Sequence, residues 1–215
     1  MISLLTQGQY AIFVLLLVAL VLSLSIHEYG HAIVAKWQGD DTAQRAGRLT
    51  LNPLAHIDPM GLLMVVLVGF GYAKPVPTDP RNFKSFFSDF WVSAAGPFMN
   101  LLLAMVAWNV YLMLRLSGWQ NDGGEIFFEI LVRINLLLML FNLIPLGPLD
   151  GHYILPYFLP RQLAYRYRMF NARYGTAVFL GLILLSVFGG LPLFKWLADL
   201  SFFMLGLITF VGPGA

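Results

Sequence analysis

Apolar residues in this chain come in long runs rather than at the spacing of an amphipathic element, so the useful signal is where each run starts and stops. No residue from Met1 to Ile26 is charged. The run from about Tyr10 to Lys36 exceeds the roughly 20 mainly apolar residues that cross a bilayer as a helix. Similar runs cover Trp91 to Leu114, about Ile126 to Leu149 with Glu129 and Arg133 near its start, Gly175 to Phe194, and Trp196 to Val211. Met60 to Tyr72, at about 13 residues, is too short to cross and predicts a re-entrant or interfacial segment. It is flanked by "LNPLAHIDP" and "AKPVPTDP", whose prolines stop regular helix on both sides. "GRLTLNP", residues 47 to 53, has the alternation and β-branching of a short strand. The pattern therefore predicts an all-α integral membrane protein. It has about five to six transmembrane helices, with a short membrane-associated strand and re-entrant region after the first. Residues 1–215 read as one domain, with a core over about 10–155 and a C-terminal helical pair over about 174–212.

Composition sharpens this. The 215 residues are 59% hydrophobic and only 11% charged, too apolar for an ordinary soluble domain of this length. Residues 1 to 9 hold no Lys or Arg, unlike the basic start of a secretory signal peptide, so the first span is expected to be retained. Cysteine is absent, which excludes disulfides, thiolate catalysis and thiolate-held metals. A formal net charge of +2, with basic residues scattered over several loops, argues against a nucleic-acid partner. Lys36, Arg45, Arg48, Lys74, Arg81 and Lys84 lie between the first two spans, and Arg161, Arg166, Arg168 and Arg173 follow the third. These loops are expected in the cytoplasm, leaving the N-terminus outside.

"SIHEYGHAI", residues 25 to 33, places His27, Glu28 and His31 at the end of the first apolar run. At i and i+4 on a helix the two imidazoles project from one face about 6 Å apart, close enough to hold one metal ion. In an H-E-x-x-H arrangement they hold zinc, and the glutamate takes a proton from water made acidic by the metal. The plain alternative is three chance residues on a polar helix end. Three ionisable side chains in an apolar span cost several kcal/mol, which favours the metal. Catalytic zinc normally has three protein ligands and one open position. The candidates for the third are His56, His152, Asp58 and Asp150. Asp150, in "NLIPLGPLDGHYIL" where Pro145 and Pro148 break the third span, is our choice, because the charge count places it in the same leaflet as the histidines. Its competing reading is a turn or N-cap residue before Gly151.

With these residues in place the chain resembles the site-2 protease family of intramembrane zinc metalloproteases. The resemblance rests on HEYGH, "LNPLAHIDPMG" with "GYAKPVPTDP", "AAGPFMN" at 94 to 100 and "NLIPLGPLDG" at 142 to 151, in that order over roughly residues 20 to 155. It implies one zinc ion held by His27, His31 and Asp150, Glu28 as general base and acid, and cleavage of substrate proteins within or near their transmembrane helices. It also implies that Asn100 and Asn142 line the site, bonding substrate backbone or a developing oxyanion, with helix-to-helix bonding as their alternative. His56 matches the family's pattern in a structural or gating role. Lipid bilayer and membrane-protein substrates are the implied partners, and a multi-pass bacterial or archaeal inner membrane with a cytoplasm-facing site is the implied location. Many members carry a PDZ or CBS domain; neither is expected here. A membrane metal-ion transporter using the same His, Glu and Asp cluster is the alternative.

Overall fold

The structure, a computed structural model, describes residues 1–68 and 71–212, with backbone only at Val68. Among the described residues it is all helical and contains no strand. Two short helices, α1 (Ile2–Thr6) and α3 (Thr42–Arg45), bracket α2 (Tyr10–Trp37). After α4 (Pro59–Val68) come α5 (Ser88–Leu116) and α6 (Asp122–Asn142). The chain ends with α7 (Gly151–Ile154), α8 (Arg161–Phe170), α9 (Thr176–Phe188) and α10 (Lys195–Leu207). Three helical stretches, 10–37, 88–116 and 161–188, are long and apolar enough to cross a membrane.

α2, α5 and α6 pack together and make the core. Ala19 of α2, Ala104 and Ala107 of α5, and Leu131, Val132 and Leu136 of α6 are its buried centre. Small residues let α2 and α5 approach closely, as helices do where no solvent drives them together. A Cβ on Gly30 would stand 2.6 Å from Met99 Cγ and 2.9 Å from Ala95 O. α10 lies against α6, and the residues after it are tied to α5. Trp108 Nε1 donates to Thr209 Oγ1 at 2.8 Å, and Asn109 Nδ2 to Ile208 O at 2.7 Å. The outer faces stay apolar: Val14, Val18 and Leu22 of α2 and Leu180, Leu184 and Phe188 of α9 are exposed. A helix that is apolar on its outer side is suited to lipid.

Two expectations are corrected. Residues 47–53 form a bend followed by a 3-10 turn at Pro53–Ala55, not a strand. A strand needs a neighbour to take its backbone bonds, and here side chains take them: Asn52 Oδ1 accepts from Leu54 N–H at 3.1 Å, and His56 Nε2–H donates to Thr50 O at 2.8 Å. The arginines after the third run lie on helix rather than in a loop, because α8 runs through a π-helical turn, Asn171–Gly175, straight into α9. α9 stops at Phe188, short of Phe194, where Gly189 and Gly190 follow with φ of +65° at Gly190. The segment expected to be re-entrant or interfacial forms the ten-residue helix α4, capped where Asp58 Oδ1 accepts from Gly61 N–H at 2.9 Å; Gly69 and Phe70, within that expectation, lie outside the described residues.

Candidate metal centre

His27, Glu28 and His31 occupy successive buried positions of α2, with the imidazole centroids 4.7 Å apart. α5 makes room for them at Gly96, where a Cβ would lie 2.6 Å from His27 Cε1 and from His31 Cε1. The same helix orients both rings. His27 Nδ1–H donates to Asn100 Oδ1 at 2.6 Å, and His31 Nδ1–H donates to Val92 O at 2.7 Å. The Asn100 amide cannot be turned over, because its Nδ2 already donates to Ser23 O at 3.2 Å and to Asn135 Oδ1 at 2.7 Å. Asn135 is fixed in turn by Ser23 Oγ at 2.8 Å and Leu131 O at 2.8 Å.

Those bonds place the ring protons on Nδ1, so each neutral imidazole points a bare Nε2 lone pair inward. The two Nε2 atoms are 3.1 Å apart. Asp150 completes the group, with Oδ2 3.2 Å from His27 Nε2 and Oδ1 3.4 Å from His31 Nε2. It stands at the N-cap position of α7, but its side chain makes no capping bond, and its buried Oδ2 has no hydrogen-bond partner. The turn-residue reading of Asp150 is therefore not what its carboxylate does here. Three acceptor atoms facing one another without a shared proton repel unless a cation stands among them. Two imidazole nitrogens and one carboxylate suit zinc, leaving a fourth position open, whereas calcium and magnesium prefer all-oxygen sets. His27, His31 and Asp150 are the grouping of metal-ligating side chains found among the described residues.

The loop bearing Asp150 owes its course to Pro145, Pro148 and Gly151. A Cβ on Gly151 would lie 2.5 Å from the Leu143 carbonyl carbon and 2.6 Å from Ile144 O, so the glycine lets α7 tuck under the end of α6.

Glu28, beside the histidines, is buried and accepts a hydrogen bond from Val76 N–H through Oε2 at 3.1 Å. The strap that supplies this bond, residues 74–79, is sewn down on both sides. Buried Arg48 donates to Lys74 O and to Pro75 O, and its Nη2 lies 3.4 Å from His56 Nδ1. Lys74 N–H donates to His56 O at 2.8 Å. Asp40, fully buried past the end of α2, accepts from Asp79 N–H at 2.6 Å and Asn82 Nδ2 at 2.9 Å.

Asn100 thus reaches the site, but both its amide protons are taken by Ser23 and Asn135, leaving none for a substrate carbonyl. Asn142 turns its amide onto Leu138 O of its own helix at 2.9 Å. His152 Nδ1 bonds Leu149 O at 3.1 Å, and His56 serves the strap. Sequence reasoning missed Asn135, Arg48, Gly96 and Val92 O. Asn135 carried a signal, as an amide within the apolar run "INLLLML", and so did Gly96, as the glycine of "AAGPFMN".

The fold and site define a class: an apolar helical protein built around a buried two-histidine, one-aspartate cluster with a glutamate beside it. The model of peptidase family M50 matches residues 15–121. "Putative zinc metalloprotease YwhC" of Bacillus subtilis is 41% identical over 172 residues, covering 77% of this chain and 78% of that protein. "Putative zinc metalloprotease Rip2" of Mycobacterium tuberculosis is 31% identical over 206 residues, covering 88% and 75%. Its namesake in Mycolicibacterium smegmatis is 32% identical over 149 residues, covering 66% and 56%. No solved structure matches the chain. The chain belongs to peptidase family M50. The family match ends before Asp150, so the position of that residue beside the histidines is contributed by the structure.

Proposed function

We propose that the protein is a zinc metalloendopeptidase that hydrolyses peptide bonds within or near the transmembrane helices of other membrane proteins. The observation that carries this is the convergence of His27 Nε2, His31 Nε2 and the unpartnered Asp150 carboxylate, with Glu28 adjacent, in a member of a peptidase family. His27, His31 and Asp150 would hold one zinc ion. Bound there, zinc supplies Lewis acidity and lowers the pKa of water. Glu28 takes a proton from the attacking water on a carboxylate oxygen and returns it to the leaving amide nitrogen. Val76 N–H holds Oε2 of that carboxylate, which leaves Oε1 as the oxygen to take the proton. Asn100 and Val92 O keep the ring protons away from the metal.

The membrane setting extends the same reading. α6, at 21 residues, is about 32 Å long and spans despite Glu129 and Arg133; α10 is too short to cross by itself, so the return after α9 takes the whole apolar run Trp196 to Val211, of which α10 is the helical part. That gives about five spans within one transmembrane protease domain. The N-terminus is outside and the site faces the cytoplasm of a bacterial or archaeal cell.

The test compares wild type with Glu28→Gln on a panel of single-span substrates in detergent, with bound zinc measured in both. Cleavage should fall by about a hundredfold or more with zinc content unchanged. Undiminished cleavage would remove Glu28 from the chemistry. Ion flux in vesicles that survives Glu28→Gln would favour the transporter reading, against which the family membership stands.

A further inference from the structure

We propose that the π-helical turn Asn171–Gly175 belongs to the metal centre, with Asn171 acting as a positioning residue for Asp150. This rests on Asp150 being a zinc ligand.

The loop between α6 and α7 has little holding it from within: Leu146 N–H donates to Ile144 O at 2.8 Å and Leu149 N–H to Leu146 O at 3.1 Å. Further ties come from the rod formed by α8, the π turn and α9. Gly147 N–H donates to Asn171 Oδ1 at 3.0 Å, and Tyr167 O–H donates to Pro145 O at 2.8 Å. Together with Gly151 lodged beneath the end of α6, they pin the loop on both sides of Asp150.

Two features separate this from ordinary packing. Asn171 is 6% exposed, and its buried Nδ2 makes only a weak contact, with the Tyr167 hydroxyl. What the amide contributes is its oxygen. Gly175 protects that oxygen: a Cβ there would lie 2.5 Å from Asn171 Oδ1 and push it off Gly147. Single π-helical turns inside α-helices occur often at functional sites, and this one places both residues against the loop.

The experiment measures zinc affinity of the full-length protein in detergent by competition with a chelating indicator, alongside the melting temperature of the zinc-free protein. Asn171→Ala should weaken zinc binding by about tenfold or more, the range for partners that orient metal ligands. Gly175→Ala should do the same with a smaller loss of melting temperature than Asn171→Ala, since alanine's helix preference offsets part of the broken bond. Asn171→Asp, which keeps an oxygen for Gly147 N–H, should restore affinity. Should Asn171→Ala fail to fold, Gly175→Ala carries the test. Wild-type affinity in Asn171→Ala and Gly175→Ala, with Asp150→Ala weakened, overturns the inference and leaves the zinc site standing. Wild-type affinity in Asp150→Ala as well overturns both.

Discussion

A pair of imidazoles one helical turn apart becomes a chelate only when both ring protons are held on the far side, and here a neighbouring helix holds them. Asn100 has every hydrogen-bonding group committed, so replacing it has two separable effects. Asn100→Ala should weaken zinc binding by about 10- to 100-fold, read by chelator competition, as His27 gains access to its other tautomer. It should also destabilise the fold by about 1–3 kcal/mol, read by melting, because Ser23 O and Asn135 lose their partner. The HEYGH pattern was legible because helical period alone brings its side chains to one face. The task of Asn100 was not, since it depends on which side of α5 meets α2. Asn135 and Asn142 show the limit well: seven residues apart, they share a face of α6, yet Asn142 sits about 10 Å further along and finds only its own helix.

Among elements, the tightest requirement is the crossing of α5 over the histidine face of α2. Gly96→Ala should displace both rings and cut cleavage by about a hundredfold, with zinc content falling too, measured on protein that still folds because alanine favours helix. The strap over Glu28 calls for a contrasting result. Asp40→Ala removes the acceptor of the half-buried Asp79 N–H and of the exposed Asn82 Nδ2, at about 1 kcal/mol for each bond lost. It should lower the melting temperature and turnover while zinc stays bound. Burial pushes the Asp40 carboxyl up, but bonds from Thr42 and Asn82 and the amides of Asp79 and Thr42 prevail and hold it below the usual carboxylate range. A depressed pKa gives stability that is complete above the ordinary value of about 4 and lost as pH falls through the folded one. The gap between wild type and Asp40→Ala in thermal melts should therefore close in acid. Two helix positions were read closely from apolar run length: the expected spans Tyr10 to Lys36 and Trp91 to Leu114 fall on the helices Tyr10–Trp37 and Ser88–Leu116. The alternation in 47–53 misled because strand formation depends on a partner, and Arg48, Thr50, Asn52 and His56 spend their polar groups locally or on the strap.

At the scale of the whole molecule, apolar outer faces surround an apolar core that has the polar cluster of His27, His31, Asn100 and Asn135 set beside it. The orientation proposed from charge gives a direct prediction, simplified by the absence of native cysteine. Ser117→Cys, exposed between α5 and α6, should react on intact cells with a thiol reagent that does not cross membranes. Arg166→Cys, exposed on α8, should react only after permeabilisation. The opposite labelling would invert the topology. The long apolar helices 10–37 and 88–116 were accessible in outline because run length can be read from composition. The continuous rod from Arg161 to Phe188 was hidden, because arginines in a good helix former look the same as arginines in a loop. One asymmetry at the centre has a further effect. The Asp150 side chain is 17% exposed, against 6% for His27 and 11% for His31, so traffic to and from the cluster passes on the aspartate side. A bound ion would be released on that flank, and only once the Asp150 carboxylate lets go. Its loss to excess EDTA should then proceed at a rate independent of EDTA concentration, and the protein should hold its ion through purification steps that equilibrium affinity alone would not survive.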